Sequence, residues 1–202
     1  VNIHAIGTKA NARVLDFLED LTNKYDSRNL RHRNEHSQIV RLEDIPRFAE
    51  IGVVASIQPT HATSDKNMAG DRLGEERLAG AYAWRKLLDS GARLAGGSDF
   101  PVESANPFFG LHAAVTRQDR SNQPPGGWLP GEKLNRDETL SLFTEWAAWS
   151  AHQENVIGKL LPGYAADFIL VRDDYFEVPA ENIWNNRVLG TWVAGQQVFK
   201  AE

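Results

Sequence analysis

Cysteine is absent from the 202 residues, which excludes disulfides and thiolate chemistry. Any metal site in this chain must then be built from His, Asp and Glu. A reducing compartment fits that absence, and a cytoplasmic location is expected. No apolar run approaches the ~20 residues that span a bilayer, so no membrane partner is expected. Excess positive charge is also missing: 22 Lys+Arg stand against 27 Asp+Glu, a formal net of -5. Nucleic acid is therefore not an expected partner. Several short motifs are lacking, among them His-x-His, His-Glu-x-x-His, the Gly-x-Ser-x-Gly elbow and a phosphate-cradling glycine loop. No charged stretch followed by an apolar one marks a signal peptide in the residues shown. The chain opens without Met on Val1-Asn2-Ile3-His4, already strand-like, so a fragment of something longer is expected.

What is present is ordinary for a globular protein, with 42% hydrophobic and 24% charged residues. Val1 to Ile6 reads as a strand. Thr8 to Leu21 reads as an amphipathic helix on the spacing of Ala10, Val14, Leu15, Leu18 and Leu21. Leu42 to about Glu50 predicts a second helix, closed by Gly52, and Val53 to Pro59 a buried-type strand. His61 to Gly74 reads as a long polar loop, and Glu75 to Ser90 as the clearest helix. Arg93 to Ser98 is a strand running into a glycine turn. Asn106 to Val115 is a further helix, Asn122 to Gly131 a loop, and Asn135 caps a helix expected to reach Ser150. Strand and helix alternate with short connections, the pattern of a parallel α/β fold. The tail differs: Ala166 to Val171, Val188 to Val193 and Gln196 to Phe199 predict antiparallel strands with a turn at Ala194-Gly195.

His4, His36 and Asp99 each follow or end a strand-like run. In a parallel α/β barrel, residues at strand C-termini converge on one face. Two imidazoles and a carboxylate suit Zn²⁺ and related cations, and an Asp beside activated water can accept its proton. Taken singly, each His also reads as a hydrogen-bonded structural residue, and Gly-Ser-Asp as a simple turn. His61 is a candidate substrate contact or a solvent-exposed loop residue. Arg31 is a candidate for an anionic substrate group or a surface residue.

The order of three segments adds more than any one of them. His4-Ala5-Ile6-Gly7, then Arg31-His32-Arg33-Asn34-Glu35-His36, then Gly97-Ser98-Asp99-Phe100-Pro101 resembles the amidohydrolase superfamily. Within it the branch that includes N-substituted formamide deformylases is the most similar. Gly158 to Phe168 resembles that superfamily's Gly-x-Leu-x-x-Gly-x-x-Ala-Asp segment, and Thr191 to Gly195 its closing hairpin. Thr8 stands where the branch usually has Asp.

The resemblance implies the C-terminal half of a (β/α)₈ barrel, about strands 5–8, over residues 1–157. It further implies that 158–202 belong to a small composite β-sandwich. By the same resemblance His4, His36 and Asp99 hold a divalent metal, zinc before Fe, Mn, Co or Ni, and Asp99 shuttles protons. The implied activity is metal-assisted hydrolysis of C–N bonds in a small-molecule substrate. The expected partner is the N-terminal half of the barrel or a second copy. A catalytically silent fragment is the alternative, because the family's strand-one His-x-His and strand-four bridging residue are not in this sequence.

Overall fold

The computed structural model describes residues 1–202. Four short strands, β1 (Asn2–Ala5), β2 (Arg33–His36), β3 (Val54–Ile57) and β4 (Arg93–Gly96), form one sheet in the order β1-β2-β3-β4. All neighbours are parallel, with His4 opposite Glu35, Glu35 opposite Ser56 and Ile57 opposite Gly96. Parallel neighbours need crossovers. These are α1 (Thr8–Tyr25), α2 (Ile45–Ile51) and, between β3 and β4, α3 (Pro59–Leu78) and α4 (Trp84–Asp89).

Side chains alternate across a strand, and here the two faces have different characters. Ala5, Ala55, Ile57 and Leu94 join a core of 23 buried residues with Leu15 and Leu18 of α1, Phe48 of α2 and Leu87 of α4. The opposite face carries His4, Arg33, Glu35 and Ser56, none of them buried. Val54 and Ala95 lie on that face too and are shut off from water, yet outside the main core. Arg33 Nε donates to Glu35 Oε1 at 2.8 Å on this polar side. Asn34, on the helix side, donates to Asn11 Oδ1 of α1 at 2.7 Å.

The expected loop from His61 to Gly74 is helical. Pro59 occupies the first turn of α3, where its missing N–H costs nothing. Buried positions on α3 are confined to its first turn and Ala69, so hydrophobic spacing gave no helical signal. The expected helix from Glu75 to Ser90 is two pieces. Gly74 (φ 70°) kinks α3, and the chain turns between Leu78 and Trp84. There Ile39 bridges Ala81, and a Cβ on Gly80 would lie 1.8 Å from the Val40 carbonyl oxygen. That close approach excludes any side chain.

After β4 come α5 (Pro107–Thr116), α6 (Arg136–Phe143) and α7 (Glu145–Ser150). Asn106 caps α5, and Asn135 with Glu138 forms a capping box on α6. The single helix expected from Asn135 to Ser150 breaks at Thr144, whose backbone is non-helical (φ -126°, ψ -95°). The tail forms an antiparallel sheet of β5 (Phe168–Val171), β6 (Val188–Val193) and β7 (Gln196–Lys200). Ala194 and Gly195 both have positive φ, as a tight hairpin requires. Between β5 and β6, Tyr175 and Ile183 pack on Phe108 and Leu111 of α5, while Arg136 Nη2 donates to the Val178 carbonyl at 2.5 Å. No helix is long and apolar enough to cross a membrane.

Candidate metal centre

The C-terminal ends of the four parallel strands point to one edge of the sheet. His36 is the last residue of β2 and adopts a left-handed backbone (φ 81°), as does Ser37 after it (φ 45°). Non-glycine residues in that region cost about 1–3 kcal/mol each and persist only where the surroundings enforce them. Here the Ser37 hydroxyl donates to the Asn34 carbonyl at 3.0 Å. The buried Asn11 amide donates to the carbonyls of Ile6, Gly7 and Ile39 at 2.9, 3.1 and 2.9 Å. One side chain thus pins the segments that leave β1 and β2.

His61 sits in the first turn of α3, directly after β3. It is 8% exposed, and its Nε2 is buried without a hydrogen-bond partner. Burial pushes its pKa below the usual imidazole value, and His36 pushes the same way. Glu103, Asp99 and Asp65 oppose that shift. Asp99 lies past β4 in the turn after Gly97-Ser98, also left-handed (φ 58°), with Oδ2 3.9 Å from His61 Nε2.

His36, His61 and Asp99 each present one donor atom, all within 4.8 Å of one another. The rings of His36 and His61 stack with centroids 5.7 Å apart. His4 packs edge-on against His36, centroids 4.4 Å apart. His4, His36 and Asp99, singled out in the sequence, are therefore brought to one end of the sheet, and His61 joins them from a helix rather than from a loop.

Arg31 goes elsewhere. It precedes β2 and lies at the opposite end of the sheet, bound to Glu154 at 2.8 Å and stacked 4.2 Å from the Trp149 ring. That placement sets Arg31 apart from the cluster and gives its guanidinium a carboxylate within the chain. Its guanidinium holds Glu154 well below the usual carboxylate range, at about 2.

Sequence reasoning missed Gln58, whose Oε1 lies 2.8 Å from His36 Nδ1, and Asn11. Neither residue type carries a spacing signal of its own. A cavity of about 430 Å³ adjoins the cluster. Its wall includes Thr60 and Phe100, the chain neighbours of His61 and Asp99, together with Glu103, Phe109 and Arg120. The Thr60 hydroxyl is buried there without a partner.

The donor set of two imidazoles and a carboxylate suits a borderline divalent cation, and the orphaned His61 Nε2 is the kind of buried polar atom a cation would satisfy.

Comparison with known proteins agrees in kind. The chain is 34% identical over 203 residues to Protein LONG AFTER FAR-RED 3 of Arabidopsis thaliana, covering 98% of this chain and 34% of that protein. It is 34% identical over 201 residues to the putative amidohydrolase YtcJ of Bacillus subtilis (strain 168), covering 99% and 37%. A crystal structure of an uncharacterized metal-dependent hydrolase from Pyrococcus horikoshii OT3 superposes with a TM-score of 0.76 at 31% identity. That superposition covers 90% of this chain and 35% of the other. The chain thus spans about a third of the length of the curated relatives it matches. The amidohydrolase family model matches residues 1–199. With that match across nearly every residue, and with strand ends that gather His36, His61 and Asp99, the chain belongs to the amidohydrolase family.

Proposed function

We propose that this chain is the C-terminal part of a metal-dependent hydrolase that cleaves C–N bonds of non-peptide amides or related small molecules. The observation that carries the reading is the convergence of His36, His61 and Asp99 with a buried, unpartnered His61 Nε2. His36, His61 and Asp99 would hold the cation, with His4 beside His36 as a further donor. Zinc fits this N/O set best, with Fe, Mn, Co and Ni as alternatives.

When bound, such a cation polarises a substrate carbonyl and brings the pKa of water to ~7. The rest falls to the chain. The Asp99 side chain is 39% exposed, open enough to accept the proton of the attacking water. As the water oxygen bonds to the carbonyl carbon, the C–N bond breaks and Asp99 returns that proton to the departing nitrogen. The cavity beside Thr60 and Phe100 would seat the substrate.

Parallel order and strand-end chemistry support strands 5–8 of a (β/α)₈ barrel for residues 1–157, with 158–202 as part of a composite β-sandwich. The outer edges of β1 and β4 carry unpaired backbone groups, which call for more strands. The remainder of a full-length relative, or a second copy, would supply them. Isolated from such a partner, the chain would bind metal weakly and hydrolyse little. A catalytically silent fragment is the second reading, favoured by a span of about a third of the relatives' length.

Metal content per chain and zinc titration test the centre. Titration of the isolated chain is expected to saturate near one equivalent of Zn²⁺ at weak affinity, and that binding is lost in His36→Ala and in Asp99→Ala. No binding by the wild type, or equal binding by both variants, overturns the metal reading. Amide hydrolysis that appears only with the complementary part of a full-length relative added would separate the enzyme from the silent fragment.

A further inference from the structure

Gln58 sits between β3 and α3, and it touches the cluster twice, through its side chain at the His36 ring and through its backbone at the main chain of His61. Its backbone carbonyl accepts from the backbone N–H of His61 at 3.1 Å, a bond of the first turn of α3. Its side-chain Oε1 lies 2.8 Å from His36 Nδ1. The residue is 8% exposed, so packing restricts the amide to few orientations. An amide oxygen only accepts. With the amide oxygen facing the ring, the matching His36 tautomer carries Nδ1–H and leaves the lone pair on Nε2. A metal-binding imidazole is commonly fixed in this way, by a hydrogen bond from the ring nitrogen that faces away from the metal.

Resting on the metal-centre reading above, we propose that Gln58 is a positioning residue. Its side chain sets the tautomer and plane of His36, and its carbonyl sets the helical turn that carries His61. One residue thereby couples the end of β2 to the segment that follows β3. The role is specific to an acceptor at this position. The carboxylate introduced by Gln58→Glu would accept the same Nδ1–H, whereas the thioether introduced by Gln58→Met, of similar length, offers no comparable acceptor.

Two measurements on the full chain test this. The first is the imidazole ¹⁵N–¹H correlation spectrum of the metal-free protein at about pH 8, where an ordinary imidazole is neutral. His36 is expected as the Nδ1–H tautomer in the wild type and in Gln58→Glu, and as a mixture or the Nε2–H form in Gln58→Met. The second is zinc affinity. Gln58→Met is expected to weaken binding by about ten- to a hundred-fold, with Gln58→Glu recovering most of the loss. Thermal midpoints of all three proteins, measured without metal, report any general damage to the fold.

A wild-type His36 found as the Nε2–H tautomer overturns the proposal, and needs no variant to do so. Equal zinc affinity of the wild type and Gln58→Met, with the same tautomer, also overturns it while the metal centre stands. If the wild type binds no zinc, the metal-centre reading fails instead, and the tautomer spectra still decide whether Gln58 orients His36.

Discussion

The two sheets of this molecule solve the same problem in opposite ways. The parallel sheet hides one face under helices, where Ile57 and Leu94 are at most 1% exposed, and on its other face sets polar side chains around the buried Val54 and Ala95. The antiparallel tail sheet leaves apolar side chains in the open: Leu170 is 54%, Val198 62% and Phe199 48% exposed. Its attachment runs through the Tyr175–Ile183 segment on α5, joined only by Val171 and Val188 at the adjoining ends of β5 and β6. The lesson is one of division. The sheet that holds the candidate centre is packed tightly enough to enforce the left-handed turn at His36 and Ser37, while the tail sheet contributes little to the core around it.

The sharpest way to break this contrast is to truncate one strand residue in each sheet. Leu94→Ala is expected to cost about 2–5 kcal/mol of folding stability in urea titration, the range for a buried Leu. Val198→Ala, on the exposed hairpin, should stay within about 0.5 kcal/mol. Comparable losses at the two sites would refute the division. The next largest effect belongs to the polar staple under the parallel sheet. Asn11→Ala removes the two N–H donors shared among the carbonyls of Ile6, Gly7 and Ile39, and the acceptor for Asn34. A loss of about 1–3 kcal/mol is expected from the buried groups left unpaired. Hydrogen exchange should speed up first around Ile6 and Ile39.

The smallest effect lies at the far end of the same sheet. Arg31 lowers the Glu154 pKa from 4.5 to about 2. A carboxylate with a depressed folded-state pKa favours folding above its unfolded value, and that contribution fades as pH falls. The pair's contribution is therefore complete above pH 4.5 and disappears as pH falls toward about 2. Glu154→Gln should flatten the pH dependence of stability in that window and leave neutral-pH zinc binding unchanged. A change in zinc affinity would contradict the separation of Arg31 from the centre.

Much of this arrangement is legible in the sequence because its signals are local. Val53 to Ile57 and Leu94 to Gly96 are short apolar runs bounded by Gly or Pro, and the Ala194-Gly195 hairpin has its turn residues in place. His4, His36 and Asp99 stand at strand ends, so a parallel sheet gathers them automatically. What stayed hidden has no periodic signature. Helix α3 is polar along most of its length, and its evidence is a single Pro59 in the first turn. The break at Thr144 interrupts an otherwise continuous helical pattern. His61 was visible as a residue but not as a member of the cluster, because its place depends on that unseen helix. Arg31 reads equally as a surface residue or a contact for an anionic group, because its neighbour Glu154 lies far along the chain.

The polar face of the parallel sheet has a thermodynamic consequence. His4 is exposed there and Arg33, Glu35 and Ser56 are partly so, and the Arg33–Glu35 pair needs no apolar cover. Strands added at the edges of β1 or β4 would extend a wettable surface, with backbone hydrogen bonds as the main new contacts. Apolar burial is what gives association its large negative heat-capacity change. Closure of this sheet should therefore show a small heat-capacity change, in contrast to a partner settling on the open apolar strands of the tail.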